Sequence, residues 1–229
     1  MEDNLPIILI PGFIAMIIGL VIYTYHQERK RVAALAATAA RLGLSFSEEK
    51  DYSADEKFGA INTFCEGENR YSHNRMNGTY RGYAVTVFDY HYETYSTDSK
   101  GNRTTHHHVF AFVILQLPQR FPELRIYPEN FLSKIGQALG YADIDFESVE
   151  FSRAFTVRSK DKKFAYDICH VRMMEFLLRH PDTALEIDGS LLAYGKPGTT
   201  KPEDVQARLD RVVQIRELMP DYVFDTPRE

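Results

Sequence analysis

Apolar and polar positions follow one pattern up to Tyr25, a second up to Leu42 and a third beyond it. From Leu5 to Tyr25 the chain reads LPIILIPGFIAMIIGLVIYTY, without a formal charge. About 20 mostly apolar residues cover a hydrocarbon core of about 30 Å, so the run predicts a membrane-spanning helix. It has no polar face, which argues against a buried core helix. The residues before it, Met1, Glu2, Asp3 and Asn4, carry acidic and no basic charge, and no A-x-A motif sits beside it, which favours a retained anchor over a cleaved signal peptide. From His26 nothing breaks a helix until Gly43, and Val32, Leu35, Ala36, Ala39 and Leu42 recur at helical spacing.

Past Gly43 the pattern is that of strands and short helices. Leu44–Ser47 reads as a short strand and Glu48–Glu56 as a loop. Arg70–Tyr80 and Tyr83–Tyr95 read as strands around a tight turn at Arg81-Gly82. A polar loop, Ser96–Arg103, closes a long hairpin with Thr105–Leu117, and Pro118 and Pro122 punctuate its exit. Leu124–Tyr127 reads as a further strand and Phe131–Leu139 as a helix stopped by Gly140. Asp143–Glu150 is an acidic lead-in, and Phe151–Arg158 alternates as a strand. Asp161 or a neighbour caps a helix over about Lys162–Arg179, which Pro181 ends. Ala184–Ile187 and Leu191–Tyr194 flank Asp188-Gly189-Ser190, a hairpin signal. Pro202 opens a last helix with Val205, Leu209, Val212, Val213 and Leu218 on one face, Pro220 ends it, and a loose tail follows.

These elements predict an α+β fold: a single N-terminal transmembrane helix, then a soluble domain with an antiparallel sheet, a long β-hairpin and helices packed on it. The expected divisions are a short extracytoplasmic tail at 1–4, the transmembrane helix at 5–25, a juxtamembrane helix at 26–43, a cytoplasmic domain at 44–222 and a loose tail at 223–229.

Flanking charge sets the expected orientation. Lys and Arg are absent before the apolar run, whereas Arg29, Lys30, Arg31 and Arg41 follow it. That asymmetry places the N-terminus outside and the domain in the cytoplasm, single-pass in an inner membrane. Leu5, Pro11, Gly12, Gly19, Tyr23 and Tyr25 are the expected anchor residues. The tyrosines would sit at headgroup depth, and Pro11-Gly12 would allow a kink. Gly12, Ala15 and Gly19 share a face suited to self-association in the bilayer. The net charge of −5 argues against a nucleic-acid partner. Two cysteines, Cys65 and Cys169, fit free thiols better than a bridge in that compartment.

Candidate chemistry is sparse. On a strand His106 and His108 share one face and His107 the other; His107 would then lie near His91 and Glu93. Such a set suits a metal, yet a solvated strand end explains it without one, and that reading is preferred. Asp167 and His170 are i, i+3 neighbours beside Cys169; a surface contact and a core thiol are preferred to a nucleophile pair. Asp143, Asp145, Glu147 and Glu150 read as an acidic connector. No P-loop, dinucleotide fingerprint, G-x-S-x-G or H-E-x-x-H occurs, and no motif calls for a cofactor.

The anchor, RLGLSFS, GTYRGYAVTVFDYHY and DIDFESVEFSRAFTVRSKDKKFAYDICHVRMMEFLL together resemble a widespread family of bacterial membrane-anchored proteins of unknown function. The resemblance covers most of the chain after Arg41 and is most specific over Phe146–Leu178. It implies a bacterial inner-membrane setting and carries no activity. Related sequences often have proline where this chain has Val171, implying a helix continuous here and broken there. The reading is therefore a membrane-tethered binding or scaffold module rather than an enzyme. Its partners are the bilayer and a protein, or a second copy, met through Tyr83, Tyr90, Tyr92 and Tyr95 on the hairpin. The alternative is a metal-binding or hydrolytic enzyme using His91 with His106–His108, or Asp167 with His170.

Overall fold

The computed structural model describes residues 5–129 and 143–225, apart from the side chains of residues 5–11 and 62. The helix expected at Phe131–Leu139 lies outside these residues. Helix α1 (Leu5–Arg41) is unbroken through Pro11-Gly12 and through the expected membrane boundary at residue 25. Among the described residues no helix is long and apolar enough to cross a membrane. The spanning helix expected at 5–25 is therefore not supported by these residues.

The fold is α+β; the described residues form an antiparallel sheet of six strands. Strands β1 (Ser45–Ser47), β2 (Glu68–Tyr80), β3 (Tyr83–Thr97) and β4 (Arg103–Pro128) pair in chain order. Arg81 and Gly82, both at positive φ (48° and 86°), form the β2–β3 turn, in the mirror-image geometry that matches strand twist. Strand β4 organises the sheet. One edge carries β3 and then β5 (Phe155–Ser159); the other carries β6 (Ala184–Pro197).

Several expectations fail for local reasons. Pro118 and Pro122 do not end β4; its register with β6 slips between Gln116 and Leu124, so the missing N–H groups fall in bulges. Asp188-Gly189-Ser190 is not a hairpin. Gly189 (φ 54°) faces Phe121 in those bulges, and β6 runs through. Phe151–Arg158 is a strand only from Phe155. Before it, Ser148 Oγ accepts from the Phe151 N–H and caps helix α3 (Val149–Ala154), because Phe151 and Phe155 fit i, i+4 spacing as well as alternation. The expected helix over Lys162–Arg179 splits into α4 (Lys162–Ile168) and α5 (Val171–Arg179). Cys169 and His170 leave helical geometry, and His170 Nε2 donates to the Leu218 carbonyl at 2.9 Å. Asp161 does cap α4, accepting from Phe164 N–H. Helix α6 (Val205–Leu218) follows a 3-10 turn at Pro202–Asp204. Past Pro220 the tail is not loose as far as Asp225: in α7 (Tyr222–Asp225) Val223 is buried and Phe224 meets Phe121 edge-on.

The sheet is covered on both faces. Val85, Val87, Val113 and Leu115 lie under Leu35 and Ala39 of α1 and the later helices. On the other face Phe88, Tyr90, Tyr92, Phe110 and Phe112 form a second core with Ile61 and Phe64. That segment folds back from α2 (Ala54–Phe58), and Phe64 meets Tyr90 edge-on at 4.8 Å.

Candidate functional site

Helix α1 has two unlike halves. Val32, Leu35 and Ala39 are buried in the domain, whereas Phe13, Leu20, Tyr23 and Tyr25 are each 60% exposed or more. Ile14, Met16, Ile17, Ile18, Val21 and Ile22 are exposed too. Space is open around Gly12 and Gly19. Isolated apolar residues on a surface are ordinary; here an unbroken run of them lies exposed along one helix. The expected anchor residues Leu5 and Pro11 lie on the same helix.

The hairpin tyrosines are not one exposed face. Tyr90 and Tyr92 are fully buried, 0% and 1% exposed, and the Tyr90 hydroxyl donates to the Phe64 carbonyl. This corrects their assignment as partner contacts. Strand alternation put them on the second face, and the Ala54–Cys65 segment, which reads as polar and loop-like at its start, closes over it. Tyr83 and Tyr95 are half-buried; Tyr83 packs beside the first core, and Arg103 lies over the Tyr95 ring.

The β3–β4 register sets Glu93 opposite His107, with His91 two residues back on the same face. His91 Nε2 lies 3.2 Å from His107 Nδ1, His107 Nδ1 lies 3.2 Å from Glu93 Oε1, and His91 Nε2 lies 3.9 Å from the same oxygen. Around them β2 supplies a frame. The Asn69 carbonyl meets His91 Nδ1 at 3.3 Å, the Asn69 amide donates to Glu93 Oε1 at 2.8 Å, and Tyr71 stacks on His91 with centroids 4.6 Å apart. Asn69 can do both because it sits at φ 49° in the irregularity between Glu68 and Tyr71, a conformation asparagine tolerates better than most. The Tyr95 hydroxyl donates to Glu93 Oε2. The Asn69 amide first, then the Tyr95 hydroxyl and the imidazoles, hold the Glu93 carboxyl below its ordinary range against desolvation. Asn69 and Tyr71 carry no sequence signal for this role; only the bulge brings them there.

His106 and His108 point to the other face. Each ring meets a hydroxyl of β3 at 2.8 Å, Ser96 for His106 and Thr94 for His108, and His108 stacks on Tyr92. Burial lowers the basicity of His108. They are not part of the cluster.

Asp167 and His170 have separate partners: Asp167 accepts from the Tyr222 hydroxyl and His170 meets Leu218. Cys169 is 2% exposed, and burial pushes its thiol far above the ordinary range, the reverse of an activated nucleophile. Asp143 pairs with Arg158. His170 borders a shallow groove of about 380 Å³ lined by Arg172, Glu217, Asp221 and Tyr222 together with the apolar Leu218, Met219 and Pro220.

The architecture is shared. The crystal structure of the mycobacterial trehalose monomycolate transport factor A, TtfA, is similar to this chain with a TM-score of 0.61. The likeness covers 83% of this chain and 94% of that one at 15% sequence identity, so it establishes the fold alone. No protein-family model matches the chain, and no curated protein matches it.

Proposed function

We propose that this chain is a membrane-tethered binding module, held by the bare half of α1 at the cytoplasmic face of a bacterial inner membrane. One observation carries the reading: an apolar helix, exposed all round, continues without a break into a helix locked in the domain core. Counting from Leu5, the charge-free helix is about 32 Å long, close to a hydrocarbon core. Lys and Arg confined to its C-terminal flank favour an N-terminus outside. The module meets a protein partner, or a second copy through the open Gly12 and Gly19 face. Tethering raises its effective concentration toward partners on the same membrane. The fold shared with a protein named as a transport factor suits an accessory role in a membrane-bound assembly. Membranes of an expressing bacterium test it. The chain is expected to stay with the membrane through alkaline carbonate, and the Ile14→Asp, Ile18→Asp double variant to be released. Release of the unaltered chain overturns the reading.

A further inference from the structure

We propose that His91, Glu93 and His107 form a binding site for one divalent transition metal of the zinc class, with a coordination position left open to solvent.

The first argument is metric. Zinc bonds histidine nitrogen and carboxylate oxygen at about 2.0–2.2 Å, so neighbouring donors in a tetrahedral site are about 3.4 Å apart. The three donor atoms here are separated by 3.2, 3.2 and 3.9 Å. Three atoms so spaced lie on a circle of about 2.0 Å radius, so a point at bonding distance, about 2.0–2.2 Å, from all three exists at or just above its centre. The second argument is the proton. A carbonyl can only accept, so Asn69 fixes the His91 hydrogen on Nδ1 and leaves the Nε2 lone pair aimed at His107 and Glu93. Metal-bound histidines are oriented in this way by an outer carbonyl or carboxylate. The third is the support behind the ligands. Asn69 and Tyr95 hold the carboxylate, Tyr71 packs the imidazole, and one residue at positive φ serves two of the ligands.

Burial is graded to match. His91 and Glu93 are largely covered, with side chains 10% and 13% exposed, while His107 is 63% exposed. The remaining position therefore faces solvent, where water or a partner's donor completes the shell. Two imidazoles and one carboxylate favour zinc, cobalt, nickel or iron over magnesium and calcium, which take oxygen donors. A solvated strand end accounts for the residue types but not for one atom from each converging on a single point. This inference does not depend on the membrane reading; the cluster belongs to the sheet.

The test uses the full chain in detergent, without a polyhistidine tag, stripped by chelator and titrated with Co²⁺. Saturation at one Co²⁺ per chain is expected, with the visible absorption of four- or five-coordinate cobalt, bleached by one equivalent of Zn²⁺. His107→Ala and Glu93→Gln should each weaken binding at least tenfold. Asn69→Gly keeps the carbonyl and the backbone angle but removes the amide, and should weaken it about 10-fold or more. His106→Ala and His108→Ala should leave it unchanged. Circular dichroism of each metal-free variant separates lost ligation from lost fold. Absence of saturable cobalt binding overturns the proposal. So does binding that survives both His107→Ala and Glu93→Gln, or that His106→Ala abolishes.

Discussion

Arg31 Nη1 lies 3.0 Å from Asp89 Oδ2, and the Asp89 side chain is wholly buried. The same carboxylate accepts from the Asn74 amide and the Thr200 N–H, while Arg31 also bonds the Thr200 carbonyl and Glu28. The arginine that reads in the sequence as part of a topology signal is thus the ion that fastens α1 to β3. His91 lies two residues further along the same strand face.

Removing Arg31 leaves the wholly buried Asp89 carboxylate without its counter-ion. Arg31→Ala should lower the unfolding free energy of the full chain by about 3 kcal/mol or more. Asp89→Ala should also destabilise, because the Asn74 amide and the Thr200 N–H lose their acceptor while Arg31 keeps Glu28, and the double variant should lose less than the sum. Denaturant unfolding in detergent measures all three; an Arg31→Ala chain as stable as the parent would show that the pair contributes nothing.

Stability should fall on mild acidification. Desolvation holds His73 below its ordinary pKa; Arg31 and Lys50 lower it further, and Asp89 and Glu28 oppose them. Its Nδ1 meets the Asn74 amide, which requires the neutral ring. A histidine depressed in the folded state contributes stability that is complete above its unfolded pKa of about 6.5 and is lost as pH falls toward the folded value, by at most about 1.4 kcal/mol per pH unit. His73→Gln should flatten the thermal-melt profile between pH 7.5 and 5.5. An equally steep profile in that variant would remove His73 from the account.

Tyr92→Ser should behave as a core lesion. The ring is 1% exposed and lies between His108 and Phe110, so its loss should cost about 3–5 kcal/mol. Denaturant midpoints test this; a variant with an unchanged midpoint would contradict the burial.

The thiols report both packing and orientation. Cys65 is exposed and Cys169 buried. A membrane-impermeant maleimide should label Cys65 in inverted vesicles and not in right-side-out ones, and label Cys169 only after unfolding. Labelling of Cys65 in sealed right-side-out vesicles would reverse the proposed orientation.

Periodic or strongly biased stretches were legible in the sequence because their signals are local. The charge-free run and the following 3.6-residue period predict the continuous helix now seen as Leu5–Arg41, the turn signal at Arg81-Gly82 sets β2 beside β3, and β-branched and aromatic residues predict β3 and the first part of β4. Punctuation was misread where a partner strand supplied what the local chain lacked: Pro118, Pro122 and Asp188-Gly189-Ser190 read as stops, yet bulges shared by β4 and β6 absorb them. A residue's surroundings were decided only by the tertiary structure. Tyr90 and Tyr92 became core because a segment nearly thirty residues earlier in the chain closes over them, and Arg31 became partly buried because Asp89, 58 residues away, faces it. The sequence put His107 near His91 and Glu93, through the two-residue period and the loop between the strands. Converging one atom from each on a point, and turning the His91 lone pair toward it, required the β3–β4 register and the left-handed turn at Asn69.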